Sequence, residues 1–133
     1  MIKEYSGNYN KKEFYGVMGK FFAEPFYKHL LPYLKNDDGY IWLLNKKNGQ
    51  VIAFTAYKIK ESKIEFAVDF YERNIDDLKE LTELKLEQVQ GLKKPIETAT
   101  TNPLMYEMFV EMGFKEYKAT TNYRFLIKEE EDV

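Results

Sequence analysis

The sequence predicts one mixed α/β domain, and three observations carry that expectation. Its 133 residues match the usual size of a single domain. Three strand-like runs follow one another through tight turns between Tyr40 and Phe70. Apolar residues at three- and four-residue spacing mark helices on both sides of that block. Residues 1–133 are therefore expected to form one domain, with the acidic tail 129–133 disordered.

Met1 to Tyr5 reads as a first strand, and Gly7 with Asn8 and Asn10 supplies a turn. From Lys11 to Ala23, Phe14, Val17, Met18, Phe21 and Phe22 recur as one helix face. Pro25 opens a second helix expected to run to Leu34, although Pro32 shortens or kinks it. Asn36 to Gly39 forms a break before a strand at Tyr40–Leu44. Asn48-Gly49 marks a hairpin to Gln50–Ile59, and Glu61-Ser62 turns the chain into Lys63–Phe70. In that third strand the period of two places Ile64, Phe66, Val68 and Phe70 on one face and Glu65, Ala67 and Asp69 on the other.

Asn74 or Asp76 caps the longest helix, whose apolar face is Ile75, Leu78, Leu81, Val89 and Leu92. Ile96–Thr101 is a short strand. Asn102-Pro103 opens a helix carrying Leu104, Met105, Met108, Phe109 and Met112, which Gly113 closes. Phe114–Ala119 and Asn122–Lys128 complete the chain as an antiparallel pair.

Composition narrows the chemistry. Twenty Lys and Arg stand against 22 Asp and Glu, a formal charge of −2, and Arg73 and Arg124 are the arginines. That balance gives no strong nucleic-acid signal. The absence of cysteine excludes disulfides, thiolate metal sites and a cysteine nucleophile. His29 is the one histidine and is read as solvated or locally hydrogen-bonded rather than as a base. No apolar run reaches the ~20 residues needed to span a bilayer, so no membrane association and a cytoplasmic location are expected.

The element order, and above all Asn102 to Phe114, NPLMYEMFVEMGF, resemble the GNAT N-acetyltransferase superfamily over almost the whole chain. The resemblance implies a mixed, mostly antiparallel central sheet of six to seven strands flanked by about four helices. It also implies acetyl-CoA as cofactor, an amine as acceptor, and transfer of the acetyl group between them. On that alignment Val68, Arg73, Asn74, Asn102 and Phe109 fall at cofactor-binding positions. Phe109 stands where the family often places the hydroxyl that protonates the departing thiolate, a proton it lacks. The three glycines of the family's pyrophosphate turn become Asn74, Asp76 and Leu78, and Asp76 and Asp77 bring carboxylates to that place. A like-charge contact near 4 Å costs about 1 to 4 kcal/mol. Acids in a first helical turn also stabilise the helix itself.

Glu65 and Asp69 are the candidate bases, expected on one polar strand face beside backbone N–H donors near Val68. Ordinary solvent-facing strand polarity, or a pair with a nearby lysine, is the more economical account of both. The acceptor is expected to approach past Phe21, Phe22, Phe26, Tyr27 and Tyr33, although core packing explains those aromatics as well. The alternative to catalysis is a cofactor-free domain that binds a protein or nucleic-acid partner, for example through Tyr57, Lys58 and Lys60.

Overall fold

A computed structural model describes residues 1–129; residues 130–133, which hold most of the acidic tail expected to be disordered, lie outside the described residues. The elements follow as β1 (Ile2–Tyr5), α1 (Lys11–Ala23), α2 (Pro25–Leu30), β2 (Ile41–Lys47), β3 (Gln50–Ile59), β4 (Ile64–Tyr71), α3 (Ile75–Val89), β5 (Ile96–Thr100), α4 (Pro103–Glu111), β6 (Lys115–Ala119) and β7 (Arg124–Lys128). They build a 7-stranded sheet in the order β1-β2-β3-β4-β5-β7-β6. Every neighbouring pair is antiparallel except β4 with β5.

Each face of the sheet is covered by one helix pair. Phe14, Met18 and Phe21 of α1 pack with Trp42, Leu44, Phe54 and Phe70 on one side. Leu78, Leu81 and Val89 of α3 pack with Phe109 of α4, Leu43, Phe66 and Leu126 on the other. The strand period of two sends successive residues to opposite layers, which is why Leu43 and Leu44 join different cores. The first layer is rich in aromatic rings around Trp42, whose indole N–H donates to Asn36 Oδ1 at 2.9 Å. Asn36 in turn donates to the hydroxyls of Tyr9 and Tyr15, so the break before β2 is tied to α1 and its approach.

The local rules set most boundaries. Asn10 and Asn74 cap α1 and α3 with their side chains, and Asn102 accepts from the N–H groups of Leu104 and Met105 at the head of α4. Gly113, at φ +96, reverses the chain after α4, with Phe114 N–H donating back to Phe109 O. Asn48 and Gly49 both have positive φ, as a two-residue hairpin of this hand requires. The second helix stops at Leu30 instead of reaching Leu34. Leu31 precedes Pro32, whose ring disfavours helical geometry in the residue before it.

The larger departure lies in β4. Val68 has φ 51, and the register with β3 slips between Phe54/Phe70 and Ala56/Ala67. One extra residue is accommodated and the alternation changes phase. Ile64 and Phe66 face α3 as expected, but Val68 and Phe70 then face the α1 layer. Asp69 and Tyr71 are turned toward α3, so Glu65 and Asp69 do not share a face.

Phe109 is fully buried, with its ring 5.2 Å from that of Phe114. Replacing Phe109 with Ala should cost about 3 to 5 kcal/mol, the range for emptying a packed aromatic site. Urea denaturation should show a lower midpoint at unchanged slope; a shift below about 1 kcal/mol would contradict the packing role.

Candidate functional site

β4 and β5 are laddered only at Ile64 with Ile96 and Glu65 with Glu97. Ile64 N–H still donates to Pro95 O at 2.9 Å, but past Glu65 the strands separate. β3 continues to pair with the far edge of β4 through Phe54, Ala53 and their partners Phe70 and Tyr71. The near edge of β4 is therefore left with backbone N–H and C=O groups that have no strand opposite. The opening is a pocket of about 970 Å³, between β4, β5, Phe125 of β7 and the segment after α2. That is the upper end of the size of small-molecule sites, roughly 300 to 1,000 Å³.

Glu65 lies at the narrow end of the cleft, about one third exposed, where its carboxylate accepts from Lys60 Nζ at 2.7 Å. The hydrogen bond to Glu65 raises the Lys60 ammonium above its ordinary value. Tyr40 is raised as well, first by burial and then by the Glu65 charge. Glu65 thus acts on the α1 side of the sheet.

Asp69 lines the same pocket from the other face and is nearly buried. Thr55 Oγ1 donates to Asp69 Oδ1 at 2.7 Å and accepts from Lys85 Nζ at 2.7 Å. Lys85 Nζ also stands 3.5 Å from Asp69 Oδ1 and 4.1 Å from the centre of the Phe66 ring. Lys85 comes from α3, with no exposed side-chain surface. Burial lowers the lysine from its ordinary value of 10.5, while the Asp69 charge acts the other way.

Val68 lines the pocket at the slip in β4. Arg73 is exposed in the turn after β4, away from the pocket lining. Asn74 uses its side-chain oxygen on the backbone N–H of Asp76 at 2.9 Å, and its carbonyl accepts from Asp77 N–H at 3.1 Å. Leu78 belongs to the α3 core. Asn102 reaches the pocket and donates from Nδ2 to the Tyr71 hydroxyl at 3.4 Å, across the wide end of the gap. Phe109 stands in the core and does not line the cleft. Of the aromatics expected on the acceptor path, Tyr33 lines the pocket, whereas Phe21 is core and Phe26 is exposed. Tyr57 is 4% exposed and Lys58 pairs with Asp37, so they present no joint surface with Lys60.

Other residues at the cleft carry no sequence motif. Thr98 is 5% exposed on β5, and among the described residues its Oγ1 is a buried oxygen with no hydrogen-bond partner. Tyr33 and Tyr123 meet edge to face at 5.6 Å beside the pocket, from segments about ninety residues apart in the chain. Burial, followed by the neighbouring Tyr33 phenol, pushes Tyr123 up to about 12, so it stays a protonated donor at neutral pH.

No family model and no curated protein matches the sequence. Solved structures do match in three dimensions. Escherichia coli ElaA superposes with a TM-score of 0.74 at 12% identity, over 97% of this chain and 99% of that one. An acyl-CoA N-acyltransferase from Pseudomonas aeruginosa gives 0.73 at 14% identity, over 96% and 98%. The Campylobacter jejuni N-acetyltransferase PseH in complex with acetyl coenzyme A gives 0.62 at 14% identity, over 97% and 99%. The chain shares its overall fold with these proteins. The chain has the GNAT N-acetyltransferase fold.

Removing one partner of a buried ion pair leaves the other uncompensated. Lys85→Met should destabilise the chain by about 3 to 5 kcal/mol, and Lys85→Met with Asp69→Leu should recover at least half of it. No recovery in the double variant would refute the coupling. Because Lys85 is lowered in the folded state, the unfolded chain binds more protons between that lowered value and 10.5. Stability of the parent relative to Lys85→Met should therefore rise with pH through that window. Paired thermal melts check the sign.

Proposed function

We propose that the chain is an N-acyltransferase that moves an acetyl group from a CoA-type thioester to an amine. The observation that carries this is the parting of β4 from β5 beyond Glu65, which opens a pocket onto an unpaired strand edge. Acetyl-CoA, when bound, supplies the acetyl group as a thioester whose C–S bond breaks as a C–N bond to the amine forms, with release of the thiol. One part of that molecule suits the residues present: the free edge of β4 and the partnerless Thr98 Oγ1 offer donors and acceptors to an extended, amide-bearing arm. The backbone near Val68 lies at this edge and is the place for donors to the acyl oxygen.

Glu65 is the preferred base. Its carboxylate is partly solvated and held by one lysine, so it can take the proton the amine loses. Asp69 is committed to Thr55 and Lys85, and its part is to hold the β4 slip in place. Phe109 removes no required step, because a thiol with pKa about 8.5 leaves as thiolate and is reprotonated by solvent. The acceptor side is expected beside Tyr33 and Tyr123, where Glu65 and Glu97, each paired with a lysine, line the same pocket and offer oxygen acceptors to an amine N–H.

Calorimetry should give acetyl-CoA binding with Kd below about 100 μM, roughly −5.5 kcal/mol. Glu65→Gln should lower amine-dependent thiol release by about 10²- to 10⁴-fold in kcat while donor affinity stays within twofold. No heat at millimolar acetyl-CoA would overturn the function, and full activity in Glu65→Gln would overturn the assignment of the base.

A further inference from the structure

The part of the acyl donor distant from the thioester meets a different surface. An N-terminal turn of a helix binds a diphosphate with unpaired N–H groups, close backbone approach and the positive end of its dipole. At the head of α3 the Asp76 N–H is already taken by Asn74 Oδ1 and the Asp77 N–H by Asn74 O. Asp76 and Asp77 stand in the same turn, where their charges already answer the dipole. No glycine lies between Tyr71 and Val89, so every residue there carries a Cβ that limits close backbone approach by a ligand. The pocket itself reaches Tyr71 and Asn102 and includes no residue from 72 to 77. Tyr71 and Asn102 are joined across the gap at 3.4 Å, at that same end.

We infer that the site recognises its donor through the thioester and pantetheine arm alone, so that the donor class is acyl-pantetheine thioesters and the nucleoside diphosphate of CoA adds no affinity. The inference rests on the acyltransferase reading and names the donor features that reading leaves open. The polar contacts then lie within the cleft: the amides of the arm meet the unpaired edge of β4 and the Thr98 hydroxyl. Beyond Tyr71 the donor meets the exposed Arg73, then the Asp76 and Asp77 carboxylates on a capped helix, so a diphosphate gains one cation against two like charges and stays in solvent.

The test titrates the full chain with acetyl-CoA, S-acetyl-phosphopantetheine and S-acetylpantetheine by calorimetry at low and physiological salt. The expected result is that acetyl-CoA binds no more than threefold tighter than S-acetylpantetheine, with the phosphorylated arm inside the same span. Acetyl-CoA more than threefold tighter overturns the inference and leaves the acyltransferase reading standing. No binding of any of the three overturns both. Thr98→Val should weaken all three donors by a common factor of about three to ten. Asn74→Gly with Asp76→Asn should raise acetyl-CoA affinity at least tenfold and leave S-acetylpantetheine unchanged, which also reports that the variant is folded. Equal behaviour of the variant and the parent toward acetyl-CoA would remove the head of α3 as the cause.

Discussion

The site depends on the backbone at Val68. A β-branched residue at φ 51 is costly, of order 1 to 3 kcal/mol, and persists only where its surroundings determine it. Those surroundings are visible on both faces. Val68 packs against the aromatic layer of α1, while the next residue, Asp69, is held from the α3 side by Thr55 and Lys85. Ala67 and Val68 both pack on the α1 layer and Asp69 returns to the α3 side, so plain alternation after Phe66 would turn Val68 toward α3 and take Asp69 away from Lys85 into the aromatic layer. The separation of β4 from β5, and with it the pocket, follows from that constraint.

Lys85 is the unusual element in this arrangement. A fully buried ammonium is expensive to desolvate, and the cost is offset by a close carboxylate, the Thr55 hydroxyl, the Ala56 carbonyl and the face of Phe66. Its partners come from β3 and β4, so the network spans the two strands at the height of their register slip. Thr55 is the connecting group, since one hydroxyl both accepts from Lys85 and donates to Asp69. The Asp69 carboxylate is thereby turned into this network, with Thr55 and Lys85 as its partners. Glu65, one phase earlier on the strand and on the other face, keeps solvent contact and a single lysine partner.

The regular elements were legible because their physics is local. Phe14, Met18 and Phe21 on α1, the Asn caps and the Asn48-Gly49 turn each act within a few residues of themselves. The slip at Val68 was not legible, because positive φ is announced by glycine or asparagine and valine announces the opposite. Once the phase changed, the expected common face of Glu65 and Asp69 was lost with it. Lys85 did leave a trace: it stands four residues after Leu81 and four before Val89, on the buried stripe of α3. A charged residue inside an apolar helical period implies a buried partner on the sheet. The meeting of Tyr33 with Tyr123 has no such trace, since it joins two connecting segments far apart in sequence.

Two departures from the resemblance have a common physical form. Phe109 replaces a polar group and satisfies itself against Phe114. Asn74 replaces a glycine and takes the Asp76 and Asp77 N–H groups, two of those a phosphate would need. In both places the protein supplies with its own atoms part of what a ligand would otherwise supply. Thr98 is the opposite case: its hydroxyl is buried without a partner, and the strand edge across the cleft is likewise unpaired. An unsatisfied buried hydroxyl costs about 1 to 3 kcal/mol, which is regained when a ligand supplies the missing bond. Affinity is therefore concentrated where polar groups remain open, in the cleft between β4 and β5, and withdrawn from the helix terminus that has closed on itself.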